Sequence, residues 1–305
     1  MRKYLVFFMQ LLMLGIWAQD QGELKTQVRH SIDELRDFVK IPNDALDGAS
    51  INRNITWLTK KFSERGFNTT VLPTTGQPLF IAALPMSDEK PTLLFYMHFD
   101  GQSVDPGKWS QKDPFEVVLR SPKDSGWEDR KFDELKDSIP AEWRLFGRST
   151  ADDKGPIVMF LNTIDLLKKQ EISLPYNVKV ILDGEEEKGS GPLAKAVQEY
   201  RELLEADYLI INDGPVHTSG LPTVIYGCRG ITSISLTTYG PVKPQHSGHY
   251  GNYAPNPALE LSRLLSGMKD QDGKVIIPGY YDGISLDEET QKILQNVPDD
   301  TDKIH

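Results

Sequence analysis

The chain has 305 residues, of which 39% are hydrophobic and 26% charged, a composition typical of a soluble globular protein with room for two domains. Its formal net charge of -10, without a compensating cluster of lysines and arginines, argues against nucleic acid as a partner. Because Cys228 is the sole cysteine, an internal disulfide is excluded, and a large core or a bound metal must provide stability.

The N-terminal segment has the layout of a secretory signal peptide. Arg2 and Lys3 precede the apolar segment 4–17, which is followed by Ala18, a small residue suited to cleavage. The alternative interpretation is a retained signal anchor, although the apolar segment is short for a membrane span. We predict that residues 1–18 are removed and that the mature protein is exported to the periplasm or the extracellular space, without a membrane partner.

Two helices are predicted next, separated at Pro42 and ended by Gly66. Short strands are then predicted over 69–72 and 79–84. The helices are indicated by apolar residues at helical spacing: Val28, Ile32, Leu35 and Val39 in the first, and Ile51, Ile55, Leu58 and Phe62 in the second.

Strands and helices alternate along the next part of the chain. This alternation predicts an α/β fold, with a mostly parallel sheet that carries helices on both faces. The predicted strands cover 93–97, 115–119, 178–182 and 208–211, and the predicted helices cover 154–168 and 193–204.

The pattern changes in the last quarter of the chain. Residues 231–238 alternate between apolar and polar, as a half-exposed strand does, and 257–268 form an amphipathic helical pattern with Asn256 as a good N-cap. We therefore predict a first domain over 19–229 and the beginning of a smaller α+β domain over 230–305.

One histidine and several carboxylates follow the ends of the predicted strands. His98 and Asp100 share one side of an extended chain, so Asp100 could fix the tautomer of a metal-binding His98. Asp152 precedes a helix, the glutamates 185–187 follow a buried strand, and Asp213 follows another. Taken singly, these features fit a loop histidine, a helix cap, a solvated charge run and a turn. Together they fit a two-metal hydrolytic centre.

Most of these residues lie in motifs that resemble those of metallopeptidase family twenty. That family of dinuclear zinc hydrolases includes carnosinases, carboxypeptidase G and succinyl-diaminopimelate desuccinylase. The resemblance is strongest to the carnosinase-like dipeptidase branch and covers essentially the whole mature chain. It implies a zinc-exopeptidase-like catalytic domain over 19–229 and part of a lid or dimerisation domain over 230–305. The motifs are 98–106, 147–155, 186–190, 226–230, 246–248 and 277–282.

The resemblance implies a metal-binding role for four residues. Asp152 would bridge two Zn²⁺ ions, with another divalent metal such as Mn²⁺ as the alternative. His98 and Asp213 would complete one metal site, and Glu187 would bind the metal of the other site.

The resemblance also implies catalytic roles. Asp100 would orient His98, and Glu186 would be the general base that takes a proton from the metal-bridging water. The choice of Glu186 rests on aligning the last glutamate pair of the run, because chemistry alone does not choose among the three. His246 would reach across a homodimer to stabilise the oxyanion. An ordinary loop histidine, with His249 nearby, is the alternative.

One departure from the family concerns the last metal ligand, a histidine that lies near the C-terminus of family members. His305 lacks the strand context of that ligand, so the sequence is interpreted as the N-terminal part of a longer enzyme, which as supplied would bind one metal better than two.

The leading functional hypothesis is zinc-dependent hydrolysis of a peptide (amide) bond in dipeptides or small peptides. The alternatives are an N-acyl-amino-acid deacylase of the same family and a truncated, catalytically incomplete binding or dimerisation protein.

Overall fold

A computed structural model describes residues 22–297, apart from positions 215, 218, 219, 222, 226, 228 and 229. The predicted signal peptide 1–18, Cys228 and His305 lie outside the described residues. The chain divides into two compact units, Met1–Gly214 and Pro215–His305, and the domain boundary predicted at residue 229 stays a prediction. Within the described ranges, no helix combines the length and apolar character needed to cross a bilayer.

The helices of the first unit follow the predicted periodicity. Pro42 lies between the first two, and the Asp47 side chain caps the second by accepting the amides of Ala49 and Ser50. The helix predicted over 193–204 forms as two pieces that meet at Tyr200. The helices are α1 (22–39), α2 (Gly48–Glu64), α3 (Lys154–Lys169), α4 (Leu193–Glu199) and α5 (Arg201–Leu204).

Eight strands are described in the first unit, and they form two sheets. The five-stranded sheet has the order β1-β2-β7-β3-β8, and the three-stranded antiparallel sheet has the order β5-β4-β6. The strands are β1 (Asn68–Leu72), β2 (Leu79–Ala83), β3 (Thr92–His98), β4 (Val118–Lys123), β5 (Gly126–Arg130), β6 (Arg144–Phe146), β7 (Asn177–Asp183) and β8 (Tyr208–Ile211).

The main sheet combines both kinds of strand pairing. β3 is parallel to β7 and to β8, whereas β2 is antiparallel to both β1 and β7. A short connection joins β1 to β2, which permits antiparallel pairing, while the helical crossover through α4 and α5 lets β8 run parallel to β3. Parallel pairing is therefore confined to β7, β3 and β8, and His98 is the last residue of the middle one of these strands.

Helices cover both faces of this sheet, so the predicted α/β fold class is confirmed. Phe80 and Ala82 of β2 pack with apolar residues of α1, α2 and α3 in the larger core. Leu79 and Ile81 of the same strand point to the opposite face and pack with residues of α4 and α5. At β2, each face of the sheet is thus buried against its own helical layer. The edge strand β8 is exposed along its whole length, so the expectation that Asp213 follows a buried strand is wrong.

Two predicted strands differ from the structure. The strand predicted over 115–119 begins only at Val118, because residues before it form a turn in which the amide of Phe115 binds the Asp113 carboxylate at 2.9 Å. The prediction of a strand over 231–238 is wrong, since the structure has no strand there. Alternating polarity is not sufficient for a strand, which needs a neighbouring strand for its hydrogen bonds.

The second unit contains short helices, and none of its described residues is buried. The helices are α6 (Ser247–Tyr250), α7 (Pro257–Ser266) and α8 (Glu288–Gln295). The predicted N-cap of α7 is confirmed, because the Asn256 side chain accepts the amide of Ala258 at 3.0 Å.

Candidate metal centre

Three parallel strands bring the candidate site together. His98 ends β3 and is paired in register with Asp183, which ends β7. Asp213 follows β8 by two residues. Because β3, β7 and β8 run in one direction, their carboxyl ends share one edge of the sheet, where ligands of open α/β folds gather.

His98, Asp152 and Asp213 offer one ligand atom each within 4.8 Å of one another. His98 Nε2 lies 2.7 Å from Asp152 Oδ1 and 3.8 Å from Asp213 Oδ2. The imidazole is fully buried, whereas the Asp152 side chain is 63% exposed, so the group is closed on one side and open to solvent on the other. One imidazole and two carboxylates with an open side are a donor set that fits a divalent metal ion.

Asp100 connects this group to the acidic loop that follows β7. Its buried carboxylate lies 3.2 Å from His98 Nδ1, through Oδ1. The same carboxylate accepts the backbone amides of Glu186 at 3.0 Å and Glu187 at 3.2 Å. Asp100 therefore directs His98 Nε2 towards Asp152 and Asp213 while it holds the backbone of both glutamates.

The three adjacent glutamates have different surroundings. The Glu185 carboxylate accepts the backbone amide of Gln77 at 2.6 Å, which turns it onto the loop before β2. Glu186 and Glu187 begin a short 3₁₀ helix, and the Glu187 carboxylate accepts the Gln102 side-chain amide at 2.9 Å. The structure thus separates Glu185 from the other two, a distinction that the sequence left open.

Charge in this region is strongly unbalanced. Burial alone would lower the pKa of His98, but the hydrogen bond to Asp100 and the charges of Asp153, Asp100 and Asp213 raise it to about 10. Burial raises the pKa of Asp153 to about 8. Burial also raises the pKa values of Glu186 and Asp213, and the surrounding carboxylates add to the effect. Carboxylates that are crowded and desolvated in this way favour a bound cation.

Two buried aspartates of this region were given no role by the sequence argument. Asp153 accepts the backbone amide of His98 at 3.1 Å, and its Oδ1 has no hydrogen-bond partner in the described part of the chain. Asp183 accepts hydrogen bonds from the loop after β7. The available signals were the doubled aspartate at 152–153 and an aspartate that ends a buried apolar strand.

Lys154 is a further buried residue that the sequence argument did not single out. Its ammonium donates to the carbonyl oxygens of Phe38 at 2.9 Å and Ile41 at 2.6 Å. These carbonyls lie at the end of α1 and just after it, so Lys154 anchors the turn that carries Asp152 to the C-terminal end of α1.

The remaining predicted site residues keep their roles as predictions. Glu187 lies outside the group formed by His98, Asp152 and Asp213 among the described residues. His246 belongs to the second unit, where it caps α6 and its Nδ1 accepts the amide of Gly248 at 3.1 Å. Its predicted action across a homodimer is untested, as are the base role of Glu186 and the ligand role of Glu187.

Comparison with known proteins gives a family match over more than half of the chain. The model described as Peptidase family M20/M25/M40 matches residues 94–254. A beta-Ala-His dipeptidase of Mus musculus is 30% identical over 71% of this chain and 40% of its own length. A Cys-Gly metallodipeptidase of Candida albicans is 31% identical over 68% of this chain and 39% of its own length. The chain therefore spans about two fifths of the length of these curated relatives.

Solved structures resemble the chain over most of its length. An M20 family metallo-carboxypeptidase from Sulfolobus solfataricus matches with a TM-score of 0.63 at 25% identity, covering 90% of this chain and 58% of that one. Human carnosine dipeptidase 1 matches with a TM-score of 0.62 at 22% identity, covering 94% and 59% of the two chains. The predicted family resemblance is confirmed by the family match, and the predicted fold class by these structures.

Proposed function

Because the chain belongs to peptidase family M20/M25/M40, we propose that its protein is a metal-dependent hydrolase that cleaves the peptide (amide) bond of dipeptides or small peptides. The observation that carries this proposal is the convergence of His98, Asp152 and Asp213 at one sheet edge. The substrate class is supported by the relatives, which are named as dipeptidases for beta-Ala-His and Cys-Gly.

The proposed metal is Zn²⁺, with Mn²⁺ as the alternative, held by His98, Asp152 and Asp213. When bound, a divalent cation polarises the scissile carbonyl and lowers the pKa of water. Asp100 contributes by holding the Nδ1 side of His98, which directs Nε2 towards the carboxylates of Asp152 and Asp213, where the cation would be held. Glu187 is proposed as a ligand of a second cation that shares Asp152.

Glu186 is proposed as the general base, which takes a proton from the attacking water and passes it to the leaving amine. Burial raises the pKa of Glu186 above its ordinary value, which is the direction that favours return of the proton to the leaving amine. His246 is proposed to stabilise the oxyanion from the second copy of a homodimer. The protein is proposed to act outside the cytoplasm after removal of residues 1–18, so the exported form should begin at residue 19.

The test is turnover of beta-Ala-His and Cys-Gly by the full-length protein with Zn²⁺, Mn²⁺ or EDTA. Metal-dependent release of amino acids is expected. Glu186→Gln should lower kcat by about 10²–10⁴-fold, the usual contribution of a general base. Glu185→Gln is the matched control and should retain activity, because its side-chain oxygen can still accept the amide of Gln77.

Three outcomes would contradict parts of this proposal. Cleavage of N-acetyl or N-succinyl amino acids in preference to dipeptides would favour the deacylase alternative. Metal binding without turnover of either substrate class would favour a binding or dimerisation protein. Equal activity of Glu186→Gln and the wild type would remove Glu186 from the mechanism.

A further inference from the structure

The loop 184–190 carries the two glutamates of the proposed site, and one buried carboxylate holds both of its ends. Asp183 is 1% exposed. Its Oδ1 accepts the backbone amide of Glu185 at 3.0 Å, at the start of the loop. Its Oδ2 accepts the hydroxyl of Ser190 at 2.7 Å, at the end of the loop.

A third donor to Asp183 comes from the neighbouring strand. The hydroxyl of Tyr96 on β3 lies 3.3 Å from Asp183 Oδ2, and the Tyr96 side chain packs against the smaller core. Tyr96 precedes His98 by two residues on the same strand. The carboxylate of Asp183 therefore joins β3, the end of β7 and both ends of the acidic loop.

The middle of the loop is held separately. Asp100 accepts the amides of Glu186 and Glu187. Inside the loop, the amide of Ser190 donates to the carbonyl of Glu185 at 3.2 Å. Ser190 has a positive φ of 47°, a backbone conformation that residues other than glycine rarely adopt. Its hydroxyl bond to Asp183 helps to hold this conformation.

We propose that Asp183, Ser190 and Tyr96 are positioning residues that set the direction of Glu186 and Glu187 by fixing the two ends of the loop that carries them. We name this group the Asp183 clamp. None of its three residues is among the proposed metal ligands or is the proposed base. Its effect on catalysis rests on the proposed function, whereas its effect on the loop does not.

The first test is hydrogen exchange of the backbone amides of residues 184–190, measured by mass spectrometry. Ser190→Ala removes one hydrogen bond of the clamp, and loss of such a bond should speed exchange in the loop about five- to tenfold. Ser121→Ala is the matched control, because Ser121 is buried and accepts a hydrogen bond from Arg130 in the other sheet. It should leave exchange in 184–190 unchanged.

Tyr96→Phe provides a second, mild variant. It removes the other hydroxyl of the clamp and should speed exchange in the same loop. Tyr200→Phe is its control, because Tyr200 packs against the same core but donates its hydroxyl to the carbonyl of Pro73. Unchanged exchange in both Ser190→Ala and Tyr96→Phe would overturn the proposal. Ser190→Ala and Tyr96→Phe are mild substitutions, so they still test the proposal if Asp183→Ala does not fold.

Catalysis provides the second readout. Ser190→Ala should lower kcat about tenfold and change KM by less than about twofold. The reason is that a looser loop would shift the base Glu186 and not the substrate. The kcat of Asp183→Asn should lie between those of the wild type and Asp183→Ala, since the asparagine amide can accept from Glu185 and donate to Ser190. Slower turnover without faster loop exchange would overturn the clamp. Faster loop exchange in a protein without turnover would support the clamp and count against the proposed function.

Discussion

The first unit contains two partly buried clusters of charged residues. The charges of one cluster compensate each other, whereas the other cluster has an excess of carboxylates. In the Glu34 cluster, the 2% exposed Glu34 side chain pairs with Lys61 and with Arg65, each at 2.9 Å. Arg65 also pairs with Asp165 at 2.6 Å. The two cations and two carboxylates compensate each other. Burial would raise the pKa of Glu34, but the hydrogen bond from Lys61 and the charge of Arg65 lower it.

The His98 cluster consists of one imidazole among the carboxylates Asp100, Asp152, Asp153 and Asp213. Here the carboxylates outnumber the histidine, and the pKa values of Asp153 and Asp213 are raised instead of lowered. Burial is common to both clusters, so burial does not distinguish them. The difference teaches that a balanced cluster serves to join elements, in this case α1, α2 and α3, whereas an unbalanced one favours a cation from outside the chain.

The largest effect is expected from a substitution that breaks the balanced cluster. Glu34→Gln should lower the free energy of unfolding by about 3 kcal/mol, because it removes the carboxylate that Lys61 and the buried Arg65 share. The lower end of the usual range is expected, since Asp165 still neutralises Arg65. Urea denaturation measures this change, and Glu64→Gln, at a half-exposed site 3.9 Å from Lys60 and Lys61, should change stability by less than about 1 kcal/mol. Similar losses in both variants would contradict the comparison.

The next effect concerns the unbalanced cluster. His98→Ala should weaken Zn²⁺ binding by more than about 100-fold, beyond the effect of changing an outer partner of a ligand. Competition with a chromophoric chelator measures the affinity. His30→Ala is the control, because His30 lies 3.1 Å from Asn162 beside the Glu34 cluster and should leave Zn²⁺ binding intact. Tight binding by His98→Ala would place the metal elsewhere.

A smaller effect is expected for Asp100→Asn. The asparagine amide would meet a backbone amide of the acidic loop, donor to donor, and it would hold His98 less firmly. Zn²⁺ affinity should fall about 10- to 100-fold, as for other partners of metal-binding histidines. Asp165→Asn, in the balanced cluster, should not change it. If the two variants bind Zn²⁺ equally well, Asp100 does not orient His98.

The sequence predicted the parts of the molecule that depend on local pattern. Helical spacing located α1, α2 and α3, and apolar runs located β3, β7 and β8. His98 and Asp213 could be placed together because His98 ends one strand and Asp213 follows another strand of the same parallel group. The direction of the glutamates could not be predicted, since it depends on Gln77 and Asp100, which are distant in sequence. The antiparallel half of the sheet depends in the same way on long-range pairing.

The smallest effect is the pH dependence of the balanced cluster, and it sharpens the comparison. The pKa of Glu34 is lower in the folded chain than its ordinary value of 4.5. Its stabilising contribution is therefore complete above about pH 5.5 and is lost as pH falls through 4.5 towards the folded pKa. The difference in unfolding free energy between the wild type and Glu34→Gln should be constant from pH 6 to 8 and shrink at lower pH, on the order of 1 kcal/mol per pH unit. A difference that grows on acidification would mean that Glu34 is protonated in the folded protein and that the cluster is not balanced.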